Sequence, residues 1–113
     1  MGGQGADGLV VDVTPNFKAP RIRSKAHLAY VASLHCAACR AAGVQVHHLL
    51  SAPQAKARGL KASDSWTVPL CQSCHTALHS DGNERRWFAA RDIDQIALAE
   101  HLWSASVAAG RVH

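Results

Sequence analysis

Aromatic side chains are scarce, with Phe, Trp and Tyr making up 5% of the 113 residues. That leaves too little large apolar lining for a haem pocket. No apolar run approaches the roughly 20 residues needed to cross a bilayer, so a membrane-spanning helix is excluded. The segment Met1 to Gly8 lacks a basic n-region and an apolar h-region, so the expected location is the cytoplasm. In that reducing compartment four cysteines read as metal ligands rather than as two disulfides. Acidic residues are absent between Asp12 and Asp64, while Lys18, Arg21, Arg23, Lys25, Arg40, Lys56, Arg58 and Lys61 all fall there. Such a one-signed stretch seeks a polyanion, and a phosphate backbone is the common one.

At this length the chain is one small domain that hides only roughly 60 to 68% of its unfolded surface, so a staple beyond the hydrophobic core is expected. Residues 1 to 20 hold Gly2, Gly3, Gly5, Gly8, Pro15 and Pro20 with little periodicity and read as a flexible tail. Residues 21 to 113 form the domain. Ser24 can cap a short helix through Leu34, which delivers the chain to Cys36. Val44 to His48 alternates with period 2 and predicts a strand. Ser51 to Ser65, with Pro53, Gly59 and three cations, predicts a long loop. Trp66, Thr67 and Val68 predict a second strand that Pro69 confines to an edge or ends. Gln72 to His79 has helical spacing with Asp81-Gly82 as a stop, Asn83 caps a further helix through Trp87 and Phe88, and a last helix runs from about Asp92 to Ser106.

Cys36-x-x-Cys39 and Cys71-x-x-Cys74 place two thiolates on each of two tight turns, the arrangement that closes a tetrahedron around Zn²⁺. A closed four-thiolate site is structural rather than catalytic, and its metal adds folding free energy to a small core. Cys71-Gln72-Ser73-Cys74-His75 also spells the C-x-x-C-H of haem attachment, but that reading leaves the first cysteine pair without a purpose. The second cluster is His47-His48 with His75 and His79. His75 and His79 stand at i and i+4 on one helical face and can share a divalent cation. At a strand end, twist lets His47 complete a three-histidine site while His48 faces a substrate. His27, His35, His101 and His113 lack such partners, with His35 only a neighbour of the thiolate site.

Val46-His47-His48-Leu49, a long loop, then Val68-Pro69-Leu70-Cys71-Gln72-Ser73-Cys74-His75 and His79, resemble an HNH, or ββα-metal, endonuclease. Lys61-Ala62-Ser63-Asp64 ahead of Val68, with the Ile93-Asp94 to Leu102-Trp103 helix, is similar to small phage and prophage nucleases of the YbcO and Ref-like kind. The resemblance covers about residues 24 to 106. It implies an α+β fold: a small zinc-stapled ββα-metal (His-Me finger) core with flanking helices.

By the same resemblance, His48 matches the general base that deprotonates water for attack on a DNA phosphodiester. His47 and His75 match metal ligands, and His79 supplies the third. The cofactors implied are a structural Zn²⁺ and one catalytic divalent cation, Mg²⁺, Mn²⁺, Ni²⁺ or Zn²⁺; three imidazoles favour a borderline transition metal over Mg²⁺. The partner implied is DNA, with Lys56, Arg58 and Lys61 beside its backbone and no small-molecule cofactor. The family's middle Asn is missing, since Trp66 stands in its place. Asp64 is the candidate replacement as orienter of the base, the alternative being an ordinary loop acid. The competing function is a zinc-stabilised nucleic-acid or protein-binding module without catalysis, which the basic charge alone would serve.

Overall fold

The computed structural model describes residues 22–53 and 63–113. The tail expected over 1 to 20 and the cations Lys56, Arg58 and Lys61 lie outside the described residues. Among the described residues two strands and four helices follow the order α1 (Lys25–Ala32), β1 (Val44–His48), β2 (Thr67–Cys71), α2 (Gln72–Asp81), α3 (Glu84–Ala89) and α4 (Gln95–Ala108). This is a small α+β arrangement around a two-stranded antiparallel sheet.

Each helix starts where a short polar side chain can take an orphan amide, with α2 as the exception. Ser24 accepts from the His27 amide, Asn83 from Arg86 and Asp94 from Ala97. The last helix therefore begins at Gln95 and not at Asp92, which instead holds a left-handed φ of 57° in the turn before the cap. For α2 the cap position is Cys71, whose side chain makes no capping hydrogen bond. The helix grows directly from the end of β2. It stops at Gly82, whose φ of 78° is one that a side chain would strain.

The second strand is longer than its sequence predicts, running through Pro69 to Cys71. Register explains this. Val44 pairs with Cys71, Val46 with Pro69 and His48 with Thr67, and the ladder continues as the Leu49 amide donates to Trp66 O at 3.0 Å. Hydrogen-bonded and non-hydrogen-bonded pairs alternate in such a ladder, so Val46 and Pro69 form a non-bonded pair. The missing N–H of Pro69 costs the ladder nothing, and its outward carbonyl accepts from Ala37 N at 2.9 Å.

Val68, Leu70, Leu49, Leu78, Trp87, Phe88 and Ala99 make one buried cluster, closed at one end by Cys36 and Cys71. Trp87 and Phe88 meet edge to face at 5.2 Å, and the Arg91 guanidinium covers Trp87 at 3.7 Å. A second packing seam joins α1 to α4. There His27, fully buried, has its Nδ1 2.6 Å from Ser106 Oγ and sits edge-on to Trp103 at 4.9 Å. It is a core histidine.

Burial holds the His27 pKa below its ordinary value of 6.5, with the Arg111 charge adding to this and Asp64 opposing it. The folded state therefore keeps the ring neutral while the unfolded chain takes up a proton near pH 6.5. Stability is full above that pH and falls as pH drops below it. Urea titrations of the wild type between pH 7.5 and 5 should show this decline, and His27→Gln, neutral throughout, should show a smaller one. Equal slopes would remove His27 from the account.

Candidate metal and histidine site

The first cysteine knuckle follows α1 as a tight turn. The Cys36 amide donates to Ala41 O at 2.8 Å, Arg40 N donates to Cys36 O at 2.9 Å, and Arg40 takes a left-handed φ of 70° to close it. The Ala37 bond to Pro69 seats this turn on the outer edge of β2. Cys71, last in the strand, and Cys74, in the first turn of α2, form the second knuckle. All four sulfurs lie within 4.8 Å of one another, and Cys39 Sγ stands 3.5 Å from Cys71 Sγ. A tetrahedron with metal–sulfur bonds of about 2.3 Å has sulfurs about 3.8 Å apart. The four thiols are close enough to hold one metal ion such as zinc.

Their electrostatics fit a cation. Burial pushes the Cys36 thiol up, but the backbone amides of Cys39, Cys71 and Ala38 outweigh it and bring the pKa down to about 6. Cys74 is driven strongly upward, by burial first, then by its sulfur neighbours and the charge on Cys36. For Cys39 the Ala41 amide pulls down, yet hydrogen bonding with Cys71 and Cys36 leaves it raised. A positive ion at the centre removes this mutual repulsion and lets every sulfur ionise.

The second cluster lies where the end of β1 meets α2. His47, His75 and His79 each bring a ring nitrogen within 4.8 Å of the others. His75 and His79 occupy one face of α2, a turn apart, with Nε2 atoms 3.1 Å from each other. Their rings meet edge to face at 4.5 Å, and His47 packs against them at 5.2 and 6.0 Å. Burial, then the neighbouring His47 and His79, lower the His75 pKa and favour the neutral ligating imidazole. The donor set suits one borderline divalent cation.

His48 leaves the strand on the other face, as period 2 requires. Its Nε2 is 2.8 Å from Asp64 Oδ1, with the side chain of His48 18% exposed and that of Asp64 7%. Asp64 is thus no solvated loop acid. Its Oδ2 accepts the Ser24 amide at 2.8 Å, its own amide bonds Ile22 O at 2.9 Å, and Thr67 Oγ1 donates to its carbonyl at 2.9 Å. Arg23 lies 3.6 Å from Oδ1. Trp66 packs against the core, its carbonyl accepting from Leu49 N at 3.0 Å and its amide donating to Ser63 O at 2.9 Å.

Sequence reasoning missed Glu84. Its carboxylate accepts from His47 Nε2 at 2.7 Å, from Leu50 N at 3.1 Å, from Ser51 N at 2.8 Å and from the Ser51 hydroxyl. Burial pushes its pKa up, but these four donors prevail and hold it at about 2. Since an ionised carboxylate only accepts, His47 donates from Nε2–H and its Nδ1 is the nitrogen left to ligate. The sequence offered only an acid in the first turn of a helix, an ordinary partner for the helix dipole. His35 is exposed and stands outside both clusters.

No curated protein and no solved structure gives a significant match to the chain. A family model does match, over residues 14–110, and the chain belongs to that family, described as a protein of unknown function (DUF968). The matched region contains all four cysteines, His47, His48, His75, His79, Asp64 and Glu84.

The Asp64 geometry predicts a structural cost as well as a chemical one. Asp64→Ala leaves the buried Ser24 amide and the His48 ring without their acceptor, and each unmet donor costs about 1–3 kcal/mol. Denaturant unfolding should show a loss of about 2–4 kcal/mol. A variant as stable as the wild type would mean that water replaces the carboxylate at no cost.

Proposed function

We propose that the protein is a metal-dependent endonuclease of the HNH kind, hydrolysing phosphodiester bonds in DNA. The observation that carries this reading is the juxtaposition of three imidazoles converging on one point with an adjacent, carboxylate-held histidine, all on a strand–strand–helix unit. His47, His75 and His79 would hold the divalent cation, Mg²⁺, Mn²⁺, Ni²⁺ or Zn²⁺. When bound, that ion supplies Lewis-acid stabilisation of charge on the phosphate oxygens.

The remaining chemistry belongs to the chain. His48, with Nε2–H donated to Asp64, keeps Nδ1 to take a proton from water, the part of a general base that an imidazole can play near neutrality. Asp64 orients the ring and stabilises the imidazolium that proton transfer creates. It fills the part left by the missing Asn. Cys36, Cys39, Cys71 and Cys74 would hold a structural Zn²⁺ that fixes α2 against the sheet. The basic stretch through Lys56, Arg58 and Lys61 would supply affinity for the DNA backbone.

Purified protein should contain about one zinc per chain by elemental analysis, and chelation should remove the cooperative thermal transition. It should nick supercoiled plasmid only with added divalent metal. His48→Ala should lower the rate by about 10²- to 10⁴-fold while metal affinity stays near wild type. His75→Ala should lose activity that higher metal concentration partly restores. Intact plasmid under all metals, with DNA still bound, would make the protein a zinc-stabilised binding module instead.

A further inference from the structure

Glu84 is tied to only one of the three converging imidazoles, and the manner of its tethering decides what it can do. It sits in the first turn of α3, 6% exposed, with both oxygens engaged. Oε1 takes His47 Nε2–H and the Leu50 amide; Oε2 takes the amide and hydroxyl of Ser51. A carboxylate with four donors already in place has no lone pair aimed elsewhere, so it is not itself a metal ligand. Ser51 is fixed in turn, because Gln95 Nε2, from the first turn of α4, donates to its hydroxyl at 2.9 Å. The ring of His47 is thereby anchored through Glu84 and Ser51 to two helices other than the one that carries His75 and His79.

The three imidazoles are consequently unequal. His75 and His79 have their Nε2 atoms facing each other, and no carboxylate within hydrogen-bond reach among the described residues appears in their contacts. His47 alone is preset in one tautomer. Resting on the metal-centre reading above, we propose that Glu84 is the positioning residue of this centre: it locks His47 as the Nε2–H tautomer, presents Nδ1 to the cation, and raises the basicity of that ligand. A carboxylate behind a ligating histidine orients the ring and strengthens it as a donor, and loss of such a partner typically weakens metal binding 10- to 100-fold.

The test uses the full-length, zinc-containing protein with Co²⁺ as the probe. Calorimetric and visible-absorption titration should give one Co²⁺ site in the wild type, markedly weakened in His75→Ala. In Glu84→Gln the same site should bind 10- to 100-fold more weakly, with zinc content unchanged. In the Co²⁺-free wild type, nitrogen-15 imidazole spectra should report His47 as the Nε2–H tautomer, and Glu84→Gln should show a tautomer mixture. A purely structural role for Glu84 would lower the melting temperature without altering tautomer or Co²⁺ affinity.

Equal Co²⁺ affinity in wild type and Glu84→Gln would overturn the proposal while leaving the metal centre standing. A wild type with no Co²⁺ site sensitive to His75 would sink the metal centre itself. Should Glu84→Gln not fold, the wild-type spectrum decides alone, since an Nδ1–H tautomer at His47 overturns the assignment. Ser51→Ala, which removes one of the two donors to Oε2 and leaves the residue 51 amide in place, should then weaken Co²⁺ several-fold.

Discussion

The register between β1 and β2 is the constraint on which both clusters depend. Pairing Val44 with Cys71 sets the second knuckle beside the turn that carries the first, and pairing His48 with Thr67 points His47 and His48 to opposite faces. Side chains alternate with period 2, so a slip of one residue would either exchange the faces of the two histidines, if β1 inverts, or turn Val68 and Leu70 away from the core, if β2 does. The four-cysteine cluster opposes that slip, because Cys71 belongs to the strand and to the cluster at once. The staple and the histidine site are thus one geometric problem, solved by the same five-residue ladder.

What the sequence revealed follows the range of the interactions involved. The knuckles and the His75/His79 pair rest on spacings of three and four residues, which a turn or a helix converts directly into proximity. The caps at Ser24 and Asn83 are equally local, whereas the Asp94 cap goes unread and the start of α4 moves from about Asp92 to Gln95. Pro69 implies an edge strand or a strand end; the edge alternative holds in this two-stranded sheet, and the sequence does not disclose which rungs of a ladder carry hydrogen bonds. Asp64 was half legible. The resemblance alone makes Asp64 a candidate orienter of His48, with a loop or turn acid as the alternative, and only the fold shows it gripping the Ser24 amide 40 residues away. Glu84 stayed hidden, since its role depends on how α3 docks against the residues after β1, and no periodicity encodes that.

Polar burial is the cost of this architecture. Ser24, His27, Ser63, Asp64, Thr67, Glu84, Gln95 and Ser106 are all buried in a domain with few aromatics. Such groups destabilise unless satisfied, and here they satisfy one another across elements. Asp64 joins the start of α1 to β1 and β2; Glu84, Ser51 and Gln95 join β1 to α3 and α4. Directional bonds hold a side chain in place more narrowly than apolar packing of equal area. Each of the adjacent histidines thereby has its own carboxylate, on its own side of the strand, fixing its Nε2 nitrogen.

The position of Pro69 bears on how the molecule keeps to itself. A two-stranded sheet consists of edges alone, and an open edge is a template on which another chain can build a third strand. On the outer side of β2 the middle rung has no amide to give, and its carbonyl already serves Ala37 in the first cysteine turn. An incoming strand would find the central pair of groups blocked by a ring on one atom and occupied on the other. The proline that the ladder tolerates from within therefore guards it from without, protecting this edge against intermolecular sheet growth.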